Sequence, residues 1–276
     1  RGWQEDRAGS CSEMNSLVVF LTFKCNYHCP YCTFRVERTD LTALSDIDVH
    51  HWLDFARSFE DETLWDLTGG EPTLHPGFRQ FVEGIPEHHK VAVTTNLSYS
   101  VGRIKELFSH SSFAHVTCSY HPSAPTDLAK FISKMYVLRD LVKHVSVNYV
   151  AIPGEIEKIG PIADAFRAHN IPFHVDPYRG PKYQFSELDF YLLSRFLTDR
   201  PFRHNPPPAL CPAGFRYFVC RSDGNVYRCS AGMFADQTCL GNIAEGTFRR
   251  LDKPTPCPFT ACENGCDIDG IKKVSQ

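Results

Sequence analysis

The sequence predicts an α/β fold: a parallel sheet built from repeated βα units, followed by a small cysteine-rich β-hairpin module at the C-terminus. Three observations lead there. From Leu17 to Tyr178, short β-branched or aromatic runs alternate with helix-period patterns. Four prolines within residues 200–210 (RPFRHNPPPAL) then change the composition abruptly and suit an extended connector. The cysteines, 12 in 276 residues, gather mainly in two clusters on either side of that break.

Taken in order, residues 1–16 are polar and without periodicity, and read as an N-terminal arm. Six strand-like runs follow: LVVFLTF, TLWDLT, VAVTTN, HVTCSY, VSVNYVAI and PFHVDPY. Between them lie amphipathic helices. Val49, Trp52, Leu53 and Ala56 share one helical face, as do Leu128, Phe131, Ile132, Met135 and Leu138. Asp46 and Asp127 stand at expected helix starts, and Asn170-Ile171-Pro172 closes a helix that begins near Glu155. A further helix is expected over Glu187 to Thr198. Beyond the prolines, RYFVCRS and NVYRC flank Asp223-Gly224, a hairpin signal because Gly accepts the positive φ of such turns. The expected division is an arm at 1–16, a βα domain at 17–200 and a cysteine-rich module at 201–276.

Charge excludes some functions. Twenty-nine Lys and Arg against 32 Asp and Glu leave a net charge of -3, with no basic block of the kind that binds nucleic acid. The apolar runs are of strand length, too short to span a bilayer, so no membrane partner is expected. No charged-then-apolar signal segment is visible near Arg1, and a reducing cytoplasmic setting fits thiols used as metal ligands. Disulfide-dense chains are usually short and poor in core, which this chain is not.

Cys25, Cys29 and Cys32 follow the first strand in KCNYHCPYCTF, where the loops of a βα sheet carry chemistry. A structural zinc site would want a fourth ligand, and only His28, inside the loop, lies close. Three thiolates on a 4Fe-4S cluster leave one iron open for substrate or cofactor. With TGGEPTLHP at residues 68–76 after the second strand, the pattern resembles the radical S-adenosylmethionine (radical SAM) superfamily over roughly residues 17–200. The resemblance implies a partial (β/α)6 barrel and a cluster that holds S-adenosylmethionine and cleaves it to a 5'-deoxyadenosyl radical.

The same resemblance assigns roles by position. Gly69, Gly70 and Glu71 match the segment that meets the methionine amino group, Glu71 as an anionic acceptor, and Tyr31 matches the position that meets adenine. Thr95, Asn96, Ser119 and Asn148, polar residues at strand ends, are further cofactor candidates beside ordinary strand-end hydrogen bonding. Cys118 is a candidate catalytic hydrogen donor if it faces the barrel mouth, and otherwise a buried small hydrophobe. His75 and His121 are read as satisfied loop residues rather than catalysts.

The second cluster comprises Cys211, Cys220, Cys229, Cys239, Cys257, Cys262 and Cys266. It resembles the SPASM and shorter twitch modules of the superfamily, with LGNIAEGTF between its halves. The closing C-x4-C-x3-C lacks features of a full SPASM module, so one auxiliary 4Fe-4S cluster is expected, held by Cys211, Cys229 and two or three of Cys257, Cys262 and Cys266. Cys220 and Cys239 are then bystanders. A zinc ribbon of the same thiolates is the alternative.

The expected activity is a radical SAM oxidoreductase that dehydrogenates a small polar metabolite or natural-product intermediate, reduced by a flavodoxin or ferredoxin. Three other readings stand beside it: an epimerase with Cys118, Cys220 or Cys239 as hydrogen donor, a maturase of a ribosomal peptide, and, from a different class, a zinc-binding interaction module. Arg179, Lys182 and Arg203 offer charge for an anionic substrate, though basic residues on a surface are commonly just solvated.

Overall fold

The computed structural model describes residues 14–34, 41–124, 127–178, 180, 183–197 and 210–260. The N-terminal arm to residue 13, Arg179, Lys182, Arg203, Cys262 and Cys266 therefore lie outside the described residues. Six strands come first: β1 (Asn15–Thr22), β2 (Thr63–Gly69), β3 (Lys90–Thr95), β4 (Phe113–Ser119), β5 (Val145–Ala151) and β6 (Phe173–Pro177). Each matches one of the runs read from the sequence, and neighbours pair in parallel.

Three strands follow the proline-rich stretch: β7 (Tyr217–Cys220), β8 (Asn225–Tyr227) and β9 (Cys239–Asn242). The order across the sheet is β6-β5-β4-β3-β2-β1-β7-β8-β9, and among the described residues no ladder joins its two edges. The sheet is open, the partial form of a βα barrel. The β7–β8 turn is the expected hairpin, with Gly224 at φ 88°.

The C-terminal strands are less separate than the sequence suggested. β7 lies parallel to β1, with Ser16 opposite Tyr217 and Val19 opposite Cys220, so it continues the main sheet. Phe248 packs edge-on against Phe55 and Phe218, and Cys220, Phe218 and Val226 belong to the same apolar core as the βα units.

Helices α1 (Val49–Arg57), α2 (Phe78–Gly84), α3 (Val101–Phe108), α4 (Leu128–Arg139) and α5 (Ile159–Ala168) bury one face each. Trp65 of β2 meets Phe55 and Phe59 edge-on at 5.8 Å, which ties α1 to the sheet. Asp127 caps α4 through the Lys130 amide. Asp46 does not cap α1: Asp48 does, accepting from the His50 amide, while Asp46 accepts from Thr22 Oγ1 at 2.9 Å and from Lys24 Nζ. The helix expected from Glu155 starts as a 3-10 turn at Ile156 and ends before Asn170, which takes the left-handed conformation. Helix α6 (Glu187–Leu193) stops short of Thr198, behind a Ser186/Asp189 capping box, and α7 (Ser230–Ala235) follows β8. Among the described residues no helix is long and apolar enough to cross a membrane.

Candidate active site

Where β1 ends, the chain enters the loop that carries the first cysteines, and this loop borders a cavity of about 390 Å³. That is room for a small organic ligand. Cys25, Cys29, Cys32 and Tyr31 line it, as do Gly69 and Gly70 from the end of β2. Strand ends across the sheet contribute Thr95, Asn96, Ser119, Val150 and Asp176. Residues from β1 to β6 thus share one opening because all six strands point their C-terminal ends the same way.

The two glycines are needed for close approach. Gly70 N–H donates to the Thr22 carbonyl and Glu71 N–H to the Lys24 carbonyl, both at 2.9 Å, so the turn after β2 zips onto the start of the cysteine loop. A Cβ on Gly69 would overlap the Thr22 carbonyl oxygen, and one on Gly70 would overlap the carbonyls of Lys24 and Phe23.

Glu71 departs from its expected role as an acceptor for cofactor. Its side chain is fully buried and absent from the cavity lining. One carboxylate oxygen accepts from Thr73 Oγ1, Thr73 N and Thr95 Oγ1, and the other accepts from Asn96 N at 2.7 Å. Burial pushes its pKa above the usual carboxylate range, against these four donors. Glu71 is a brace that ties the end of β2 to the end of β3.

Asn96 lines the cavity, and its amide also holds the cysteine loop. Nδ2 donates to Asn26 Oδ1 at 2.8 Å and approaches Cys25 Sγ at 3.8 Å, while Asn26 Nδ2 reaches Ser98 Oγ. Tyr31 pairs with His121 through Oη and Nδ1 at 2.8 Å. Burial drives the His121 pKa down to about 4, so the ring is neutral near pH 7. His75 is a satisfied loop residue, held between the Ile47 carbonyl and the Gly77 amide.

Asn148 sits beside the cavity rather than on it, donating through Nδ2 to Asp176 Oδ2 at 2.9 Å. Asp176 is the one carboxylate among the described lining residues, and the strand-end reading overlooked it. Its signal was the polar residue in PFHVDPY, near the C-terminal end of its strand as Thr95 and Ser119 are on theirs. Thr68, Thr94 and Tyr178 were missed in the same way.

The profile of the radical SAM superfamily matches residues 19–164, more than half of the chain. The chain belongs to the radical SAM superfamily. Curated relatives include probable GTP 3',8-cyclases of Saccharolobus islandicus strain L.S.2.15, 33% identical over 85 residues, and of Saccharolobus solfataricus, 34% identical over 85 residues. The match spans 30% of this chain and about a quarter (27%) of the length of those relatives. Among solved structures, Streptococcus suis SuiB bound to its precursor peptide SuiA superposes with a TM-score of 0.63 at 17% identity, covering 86% of this chain and 64% of that one. The enzyme anSMEcpe with bound AdoMet and a peptide gives 0.61 at 17% identity, covering 94% and 83%. At this identity the likeness is one of fold.

Radical SAM membership brings a 4Fe-4S cluster and S-adenosylmethionine, and the residues present fit both. Cys25, Cys29 and Cys32 face one cavity. Three thiols on a cavity with room beside them for an organic ligand suit a 4Fe-4S cluster that keeps one iron open. His28 is exposed and does not line the cavity.

The other thiols divide clearly. Cys118 is corrected as a catalytic candidate: it is 0% exposed and lies in the apolar core, because Ser119 next to it takes the cavity face of β4. Burial pushes its thiol pKa far up, as it does for Cys220, also 0% exposed in that core. Cys239 is exposed on β9 and does not line the cavity. None of these three is placed to give a hydrogen atom across the cavity.

Cys211, Cys229 and Cys257 instead come together, in an apolar contact group with Ala213 and Tyr217. Cys211 and Thr255 exchange both backbone hydrogen bonds, at 2.8 and 3.1 Å. Arg228 donates to the carbonyls of Ala213 and Pro256, strapping the same segments. The group flanks the start of β7 and the end of β8, beside the Ser16 end of β1.

Proposed function

We propose that this chain is a radical SAM oxidoreductase that dehydrogenates a small polar metabolite or natural-product intermediate, with one auxiliary 4Fe-4S cluster in its C-terminal region. The observation that supports the reading is a pair of thiol groups in the loops of one sheet: Cys25, Cys29 and Cys32 on the cavity, and Cys211, Cys229 and Cys257 packed around Ala213 beside the start of β7. Cys262 or Cys266 would supply the remaining ligand. When bound, the first cluster and S-adenosylmethionine would supply a 5'-deoxyadenosyl radical that takes a hydrogen atom, the auxiliary cluster would supply an acceptor for the electron left behind, and the substrate's remaining proton would pass to Asp176 or to solvent.

The chain's own residues then orient and shield. Gly69 and Gly70 keep the turn close against the cysteine loop, and Tyr31, Thr95, Asn96 and Ser119 offer polar contacts to the cofactor. Asp176, steadied by Asn148, accepts from a hydroxyl or ammonium group of the substrate at the far side of the cavity. An electron donor of the flavodoxin or ferredoxin type completes the cycle. A second reading, modification of a peptide side chain, draws support from the peptides bound in SuiB and anSMEcpe.

The test is iron and sulfide content after anaerobic reconstitution. The native protein is expected to hold about eight irons per chain. A Cys25→Ala/Cys29→Ala/Cys32→Ala variant and a Cys211→Ala/Cys229→Ala/Cys257→Ala variant are each expected to hold about four. A native protein with about four irons, all lost with the first three cysteines, would remove the auxiliary cluster and with it the case for oxidation. Zinc at the second group would then be measured directly.

A further inference from the structure

We infer that the Thr255 hydroxyl is a positioning group for the auxiliary cluster, donating a hydrogen bond to the thiolate sulfur of Cys211 or Cys257 and so raising the cluster's reduction potential. The inference rests on the auxiliary-cluster reading above. Two independent observations carry it. Thr255 Oγ1 is buried from solvent and has no hydrogen-bond partner among the described residues, although the residue's backbone is fully paired with Cys211. A buried hydroxyl left unsatisfied is costly, so an acceptor is called for at that spot.

The pairing itself says where the hydroxyl points. Cys211 and Thr255 form an isolated antiparallel bridge in which each amide donates to the other's carbonyl. Residues directly opposite in such a pair send their side chains to the same face, with Cβ atoms about 5 Å apart. Cys257, two residues on, packs against the same Cys211 and Ala213 group. The Thr255 side chain therefore shares the face of Cys211, whose contact group also contains Cys229 and Cys257.

A neutral thiol is a poor acceptor, which matches a hydroxyl without a partner among the described residues. A thiolate on iron is a good one. A donor to a cluster-bound sulfur stabilises the more negative, reduced state, which raises the potential.

The experiment uses the full chain carrying Cys25→Ala, Cys29→Ala and Cys32→Ala, reconstituted anaerobically so that only the second site reports. Iron content and the midpoint potential, followed by electron paramagnetic resonance, are compared among Thr255, Thr255→Ser, Thr255→Val and Thr255→Ala. The expected result is equal iron in all four, a lower potential for Val and Ala, and a native potential for Ser. Equal iron with an unchanged potential in Val and Ala overturns the inference while leaving the auxiliary cluster in place. If Val and Ala load poorly and Ser loads fully, the hydroxyl is supported at the level of assembly. Loss of iron in Ser as well overturns it, because a merely structural role for the methyl group would then suffice. Absence of iron from the Thr255 parent overturns both this inference and the auxiliary-cluster reading.

Discussion

Replacing Glu71 separates two roles for a carboxylate that sits beside a cofactor cavity. If it is a brace, Glu71→Ala strands the amides of Thr73 and Asn96, both directed at the missing oxygens. Two buried amides at about 1–3 kcal/mol each give a gross cost of about 2–6 kcal/mol. The hydroxyls of Thr73 and Thr95 can rotate, and removing a desolvated carboxylate returns part of the cost, so the net loss should be about 3 kcal/mol. For a chain of this size that lowers the melting midpoint by roughly 10 °C, at about 2–4 °C per kcal/mol. Glu71→Gln keeps one acceptor oxygen but turns an NH2 toward a donor, and should fall between Ala and native. The assay is thermal melting of the metal-free protein, followed by iron content and S-adenosylmethionine affinity after reconstitution. A Glu71→Ala protein that melts within about 2 °C of native yet binds S-adenosylmethionine far more weakly would refute the brace and restore direct contact with cofactor.

Gly70→Ala should cost about 2 kcal/mol or more and deplete iron at the first site, since the new methyl meets two backbone carbonyls that cannot move without shifting β1; full iron and a native melting midpoint would contradict the packing of that turn. Asp176→Asn should leave S-adenosylmethionine affinity within about twofold, a shift of under roughly 0.5 kcal/mol, while turnover becomes uncoupled, with 5'-deoxyadenosine released and less product formed. Weaker cofactor binding in that variant would move Asp176 from the substrate to the cofactor. The depressed pKa of His121, about 4, means the unfolded chain takes up its proton first as pH falls. Stability should therefore decline as pH drops from about 6.5 toward 4, and His121→Gln should flatten that slope in melts of the metal-free protein.

All six βα strands were legible because each combines β-branched or aromatic residues with a bounded length, and the Asp223-Gly224 turn was legible because its chemistry is local. What escaped was non-local. Nothing in RYFVCRS announces that β7 will lie parallel to β1, since strand partners are chosen by the completed core, here through Phe218, Phe248 and Cys220. The three cysteines and two glycines at the cavity were found by motif, but the direction of Glu71 was not, because a carboxylate in a turn can face outward or serve the backbone behind it. Cys118 and Ser119 were both named, yet adjacent strand residues face opposite sides of the sheet, and only Ser119 lines the cavity. The same alternation, applied to β6, would have brought in Asp176.

The parallel pairing of β7 with β1 acts as a ruler. One thiol group follows the last residue of β1, and the other is anchored where β7 lies opposite Ser16, so the eight residues of β1, roughly 25 Å of extended chain, separate the two anchor points. A single-residue insertion in Asn15–Thr22 would lengthen the gap by about 3.3 Å and turn every following side chain to the opposite face, disturbing both thiol groups at once. The spacing between the proposed iron sites is thereby written into strand length, a quantity that neither cysteine motif contains.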